Sequence, residues 1–276
     1  MGISDDANET SLHRSRTGGT GISVHDLILM GAGLLAGAMN AVAGGGTLVT
    51  FPALLVMGLP SIAANATSTI ALLPAALGGV YGYRSNVGAV SRWLALFGPV
   101  SLLGGLVGGI LLVRTPSATF DVMVPFLIFF ATVLFMLQST LSAVIGGRKG
   151  VQRRSGAWLT GAAVFQCAVA VYGGYFGAGI GILMLASLGM LGFGDIHEMN
   201  ALKVMLGFLI NVVAAIYFIA SGLIVWRAMI PMAVGTIMGG YAGARFAQKI
   251  PQSRVRLLIT TIGLVISAVM FQKQFG

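Results

Sequence analysis

A single lysine stands among amide and hydroxyl side chains inside an otherwise oily stretch. Lys203 lies in HEMNALKVMLGFLINVV, seven residues beyond the start of an apolar segment at Ile196. At about 1.5 Å per helical residue it sits roughly 10 Å in, too deep for an ordinary end charge. Asn200, Lys203, Gly207 and Asn211 recur at i, i+3, i+7 and i+11, which places them on one helical face. An earlier segment carries Asn65, Ser68 and Thr69 in NATST on the matching face. A buried ammonium flanked by amide and hydroxyl donors suits an anion, because charge-assisted hydrogen bonds to oxyanions are the strong ones. The bland alternative is that Lys203 snorkels its head group to the surface, or pairs with Glu198 or Asp195.

Other chemistries lack residues. Of the seven acids, Asp5, Asp6 and Glu9 lie in the polar N-terminal stretch, and Asp26, Asp121, Asp195 and Glu198 stand at segment ends. A proton relay or sodium site built from intramembrane carboxylates is therefore not supported. His13, His25 and His197 are scattered and lie outside the apolar centres, so no metal is expected. Cys167 is the only cysteine, which excludes an intramolecular disulfide. No Ser-His-Asp or Cys-His set can be drawn; neither catalysis nor a cofactor is expected.

The backbone supplies the remaining polar groups. NAVAGGGTLVTFPALL puts Gly44, Gly45 and Gly46 in the middle of an apolar run, and Gly177 and Gly179 in GAGIG do the same further on. Each glycine costs a helix about 1 kcal/mol relative to alanine, so both runs predict a break. A half-helix starting at Thr47 would aim free N–H groups and the positive end of its dipole at the break, and the second break would do so from the other half. Spaced glycines read differently. GGLVGG (Gly104 to Gly109) and GGYAG (Gly239 to Gly243) fit small-residue helix packing.

The elements that position these groups follow from composition. The chain is 57% hydrophobic and only 8% charged, against roughly 25% charged in a soluble domain. Apolar runs long enough to span a bilayer recur, without the short alternating segments of a β-barrel. The expected fold is an all-α polytopic membrane protein. The basic balance, +9, does not point to nucleic acid, because most of the basic residues sit in short loops as topology signals do. Residues 1–25 read as a polar, disordered tail without the apolar core of a signal peptide.

The organisation is repeated. Apolar segments run from Asp26 to Ala43, Thr47 to Met57, Ser61 to Tyr83, Trp93 to Val113 and Phe120 to Ile145. After the basic loop GGRKGVQRRSG they restart at Ala157 to Tyr175, Ile182 to Leu191, Ile196 to Ala220, Met229 to Phe246 and Leu257 to Phe271. A shift of 135 residues carries Asn65 onto Asn200, Arg92 onto Arg227, Gly104-Gly105 onto Gly239-Gly240, Gly108 onto Gly243 and Pro116 onto Pro251. We therefore expect two homologous repeats, 26–146 and 157–276, joined by the basic stretch 147–156. Each is a glycine-broken helix or re-entrant hairpin followed by three long helices. Broken helices at matching places in two repeats point to a transporter's binding site.

Arg148, Lys149, Arg153 and Arg154 place the central loop in the cytoplasm. Re-entrant breaks would make the repeats inverted, and breaks that cross straight through would make them parallel. Arg114 stands alone in one loop where its counterpart holds Arg245, Lys249, Arg254 and Arg256. Such asymmetry favours opposite sides, hence inverted repeats with both termini outside. Arg84, in YGYRSN at a helix end, reads as a topology or headgroup residue.

The sequences around the two breaks, NAVAGGGTLVTFPALLVMGLPSIAANATSTIALLPAALGGVYGYR and GGYFGAGIGILMLASLGMLGFGDIHEMNALKVMLGFLINVVAAIYFIASG, resemble the two signature regions of the sulfite exporter TauE/SafE family. The resemblance covers nearly all of Asp26 to Gln272 and carries over Gly44, Gly45, Gly46, Pro52, Asn65, Thr67, Gly177, Gly179, Asn200 and Lys203 as motif positions. It implies a multi-pass protein of the bacterial inner membrane that moves sulfur-containing anions such as sulfite, sulfoacetate or thiosulfate. Together the expectations are a secondary transporter whose anion meets Gly44, Gly45, Gly46, Thr47, Asn65, Ser68, Thr69, Gly177, Gly179, Asn200, Lys203 and Asn211. Its partners would be the small anion and the lipid bilayer, with a homodimer left open. A passive anion channel on the same pocket and a transporter of small carboxylates are the alternatives. A membrane-embedded enzyme or assembly subunit would need a reactive constellation that the sequence does not show.

Overall fold

The computed structural model describes residues 23–42, 45–146, 156–190, 196–246 and 252–275. Gly44, the tail up to residue 22 and the basic loop with Arg148, Lys149, Arg153 and Arg154 lie outside the described residues, as do Asp195 and Lys249. Among the described residues the chain is helical, with no strand. The helices are α1 (Val24–Val42), α2 (Thr47–Val56), α3 (Ser61–Gly82), α4 (Val87–Arg114), α5 (Ser117–Gly146), α6 (Gly156–Tyr175), α7 (Ile180–Met190), α8 (Ile196–Ala220), α9 (Trp226–Phe246) and α10 (Gln252–Phe275), with a 3-10 turn at Arg84–Asn86.

Local chemistry sets several boundaries. At the head of α1, Ser23 N–H donates to Asp26 Oδ2 (3.0 Å) and Asp26 N–H to Ser23 Oγ (3.2 Å). This reciprocal cap satisfies two N–H groups that the helix leaves free. Several helices begin earlier than their apolar runs suggest, among them α4 at Val87 instead of Trp93, α10 at Gln252 instead of Leu257, α5 at Ser117 instead of Phe120 and α9 at Trp226 instead of Met229. Helical hydrogen bonding continues beyond the long apolar stretch, and Ser91 Oγ donates to Gly88 O (2.9 Å) near the start of α4. Ser61–Gly82, Arg84–Arg114, Ser117–Leu137 and Glu198–Ala220 are long and apolar enough to cross a membrane. Large apolar side chains such as Leu103 (65% exposed) and Ile216 (62%) face outward, which suits lipid and not water.

Glycine contacts fix the helix directions. A Cβ at Gly33 would strike Met232 O, one at Gly37 would strike Thr236 O, and one at Gly243 would stand 2.7 Å from Ala38 Cα, so α1 and α9 run parallel, backbone against backbone. Gly104 faces Cys167 and Ala170 while Gly108 faces Val171 and Tyr175, so α4 and α6 are likewise parallel. The small-residue reading of GGLVGG and GGYAG holds. Gly98 against Leu209 and Gly109 against Phe218 make α4 and α8 parallel; Thr236 on Ala71 and Gly240 on Ala75 make α9 and α3 parallel. In contrast, Gly79 meets Val204 while Thr67 Oγ1 accepts from Val225 N–H just past the end of α8, so α3 and α8 are antiparallel. Phe120 against Tyr175 and Phe130 against Tyr172 oppose α5 to α6. Ser267 on Pro125 and Gly263 on Thr132 oppose α10 to α5. Hence α1, α3, α5 and α9 run one way, and α4, α6, α8 and α10 the other.

The end of α2, the start of α3, the first turns of α5 and the end of α10 gather on one face. There Leu55, Ser61, Asp121 and Lys273 line a cleft of about 710 Å³, and Ser61 Oγ donates to Asp121 Oδ1.

Candidate functional site

Both breaks form where the glycines stand. Gly45 (φ +99°), Gly177 (φ +77°) and Gly179 (φ +76°) adopt left-handed conformations that an L side chain would strain by about 1–3 kcal/mol. These values explain why the interruptions are glycine and not merely small. The two breaks share one support. A Cβ at Gly45 would stand 3.2 Å from the Phe135 ring, and one at Gly179 would stand 3.6 Å from Ala131 O and Leu134 Cδ1. Ala131 to Phe135 is a single turn of α5, so the structure brings the two breaks together on that turn. Nothing in the sequence pattern singles out this turn, because its neighbours lie in both halves of the chain.

The first break is closed by hydroxyls. Gly46 caps α2, and its carbonyl accepts from Val49 N–H (3.0 Å) and Thr50 N–H (3.1 Å). Thr50 Oγ1 donates to Gly46 O (3.2 Å) and lies 2.6 Å from Ser68 Oγ on α3. Ser68 therefore gives its proton to Thr50, which passes the chain of bonds to the break. Thr47 is the first residue of α2 and is half-buried. Thr69 turns back on its own helix, donating to Asn65 O (3.0 Å).

Asn65 serves the other break. Its Nδ2 donates to Tyr175 O (2.9 Å), the last residue of α6. A carbonyl can only accept, so the amide nitrogen must face it and Oδ1 must point away. That oxygen is buried without a partner among the described residues, and the whole residue is 1% exposed. A buried polar atom left unpaired costs about 1–3 kcal/mol. Asn211 behaves alike, with Nδ2 given to Gly207 O (2.9 Å) and Oδ1 3.9 Å from where a Gly177 Cβ would stand. Asn65 and Asn211 thus each give an N–H to a backbone carbonyl, which turns the side-chain oxygen away from that carbonyl and brings Asn211 Oδ1 near Gly177. Tyr172, which sequence patterns did not single out, donates from its hydroxyl to Ala178 O (2.7 Å) inside the break.

Lys203 and Asn200 lie together on α8, with Nζ donating to Asn200 Oδ1 (3.0 Å). Asn200 holds the ammonium and no described carboxylate, Glu198 included, pairs with it; Asp195, the other acid considered, lies outside the described residues. The stem of Lys203 reaches α7, where its Cδ lies 3.5 Å from the Cβ position of Gly181, the second residue of that helix. A cation beside the positive end of a helix dipole is the unfavourable arrangement. An anion between them would reverse the sign of the interaction.

Comparison with known proteins places this architecture. The family model of the sulfite exporter TauE/SafE family matches residues 29–270. A probable membrane transporter protein of Haemophilus influenzae is 30% identical over 250 residues, covering 90% of this chain and 94% of that one. The probable membrane transporter protein YfcA of Escherichia coli K12 is 26% identical over 251 residues, 90% of each chain. A probable membrane transporter protein, ORF9, of a Sinorhizobium species is 25% identical over 240 residues, 86% of this chain and 88% of its own. No solved structure matches at a significant level.

Proposed function

The chain belongs to the sulfite exporter TauE/SafE family of membrane transporters, and from that premise we propose that it is a secondary transporter of small anions, sulfur-containing ones foremost. The observation that carries this reading is the Lys203 ammonium, held among the described residues only by a neutral amide, beside the N-terminal turn of α7. Two positive features meet there without a described counter-charge, so a sulfite, thiosulfate or sulfonate oxyanion completes the site. The start of α2 at the first break adds the positive end of a second helix dipole; its Leu48, Val49 and Thr50 N–H groups are already given to Gly45 O and Gly46 O, so the free donors expected there are not supplied. The described carboxylates Asp26, Asp121 and Glu198 stand near the N-terminal ends of their helices, and none pairs with Lys203.

The helix directions support inverted repeats. Under the 135-residue shift α3 corresponds to α8, α4 to α9, α1 to α6 and α5 to α10, and in each pair the two members run oppositely. Because α1 and α3 run the same way, α2 must return, which makes each break a re-entrant hairpin. The basic central loop then lies in the cytoplasm of a bacterial inner-membrane protein, and both termini lie outside.

Two measurements test this. Purified protein in proteoliposomes should accumulate at least one of sulfite, thiosulfate, sulfoacetate or taurine, with saturable flux that collapses when the driving gradient is dissipated. Unsaturable single-channel currents would favour the channel, selective flux of small carboxylates would shift the substrate class, and no flux across the panel would sink the transporter reading. For the topology, Ser85→Cys and Ser221→Cys stand in the exposed α3–α4 and α8–α9 connections. In a Cys167→Ser background an impermeant maleimide should reach them from opposite faces. Labelling of both from one face would overturn the inversion.

A further inference from the structure

We propose that the second break also holds an alkali cation, Na⁺ foremost, in the notch beside Gly177; this rests on the transporter reading above and names its coupling ion. At the place where a Gly177 Cβ would stand, the described atoms that come within 4 Å from beyond Gly177 and its two chain neighbours are both oxygens: Gly173 O at 3.0 Å and Asn211 Oδ1 at 3.9 Å. Two residues earlier in the same break, Asn65 is tied through Nδ2 to Tyr175 O, and its Oδ1 is buried with no partner among the described residues. The hydrogen bonds of Asn65 and Asn211 fix both amides with their oxygens turned away from the carbonyls they serve. The end of α6 contributes the negative end of its dipole to the same place. Carbonyl and amide oxygens at an unwound helix end are the ligands that transporters use for Na⁺.

The ligand set selects among cations. Amide and carbonyl oxygens do not take up a proton near neutral pH, so hydronium is disfavoured. Mg²⁺ and Ca²⁺ are bound chiefly where carboxylates supply charge, and no carboxylate lies among these ligands. A monovalent alkali ion fits a neutral oxygen cage. The break then has two poles, oxygens at the end of α6 for the cation and the Lys203 side of α7 for the anion. Opposite charges a few residues apart favour each other's binding, and by linkage the effect is reciprocal.

Cation binding is readable without any anion. Full-length protein in detergent, in a sulfur-free buffer, is heated in NaCl, KCl or choline chloride at equal ionic strength. We expect Na⁺ to raise the midpoint by several degrees in a saturable way, choline to leave it unchanged, and Asn211→Leu to weaken the apparent Na⁺ affinity at least tenfold. Asn65→Ala should remove the shift. If that variant does not fold, Gly177→Ala, which places a methyl in the notch, serves in its place, with binding of ²²Na⁺ as the readout. Equal midpoints in all three salts for the wild type would overturn the site, with a structural water then accounting for Asn65 Oδ1. An undiminished shift in the Asn211 and Gly177 variants would overturn it too. Anion flux indifferent to Na⁺ with no ²²Na⁺ bound sinks this inference and leaves the transporter standing. Na⁺ binding in a protein that moves none of the anions does the reverse.

Discussion

The two helix breaks rest on the same turn of α5 and differ in what they present. At the first, Ser68 and Thr50 close a chain of hydroxyls onto Gly46 O. At the second, the residue one repeat length beyond Ser68 is Lys203, whose stem lies over Gly181. One frame thus carries a self-satisfied neutral pair on one side and an ammonium without a described carboxylate on the other. The difference teaches that helix interruption and ligand chemistry are separable. Glycine conformation makes the break, and a single side chain on the facing helix decides whether it holds itself together or waits for a ligand.

The largest expected effect lies at Lys203. If the asymmetry is functional, Lys203→Met should lower flux per folded transporter more than tenfold while the thermal midpoint barely falls, because the ammonium contributes little packing. Lys203→Arg should retain part, since the charge survives but a planar fork replaces a point-like ammonium. Lys203→Glu should be worst, setting a carboxylate against the substrate. Flux in proteoliposomes, normalised to folded protein, decides. A Met variant at wild-type flux would remove Lys203 from the site and the functional meaning of the comparison with it.

The glycines give the next contrast. Gly45→Ala meets both a left-handed φ and the Phe135 ring at 3.2 Å, whereas Gly179→Ala meets the φ strain with neighbours at 3.6 Å, ordinary contact. Gly45→Ala should therefore cost about 2–4 kcal/mol and Gly179→Ala about 1–2 kcal/mol, compared by denaturation in detergent. Leucine at either position should abolish flux in protein that still inserts. Equal costs for the two alanines would show that Phe135 moves aside and that the first break is no tighter than the second.

Much of this was legible in the chain. Contiguous glycines announced the breaks because glycine alone adopts φ near +80° without penalty, and the spaced glycines of GGLVGG and GGYAG announced backbone contact. The partners of those glycines were not legible. Gly104 meets α6 and Gly239 meets α1, each in the other half, and a periodicity says only that a face is smooth. Asn65 and Asn211 show a second limit. Sequence supplies an amide, which is both donor and acceptor, and only the position of Tyr175 O and Gly207 O reveals which end remains. The turn Ala131 to Phe135 was invisible because its residue types are those of any apolar helix.

The smallest effect sharpens the comparison most. Thr50→Val removes the acceptor for Ser68 and the bond to Gly46 O, yet a serine in a helix can turn its proton back to the carbonyl four residues earlier. The loss should therefore be about 1 kcal/mol, with flux unchanged. Ser68→Ala should cost less, because Thr50 keeps its bond to Gly46 O. The double variant should cost less than the sum of the two, since neither hydroxyl then strands the other, and a thermodynamic cycle measures that coupling. If instead Ser68→Ala depresses flux as strongly as Lys203→Met, the hydroxyl pair opens to the anion during transport. The first break would then share the substrate with the second, and the asymmetry of the resting structure would describe one state of the cycle and not a division of labour.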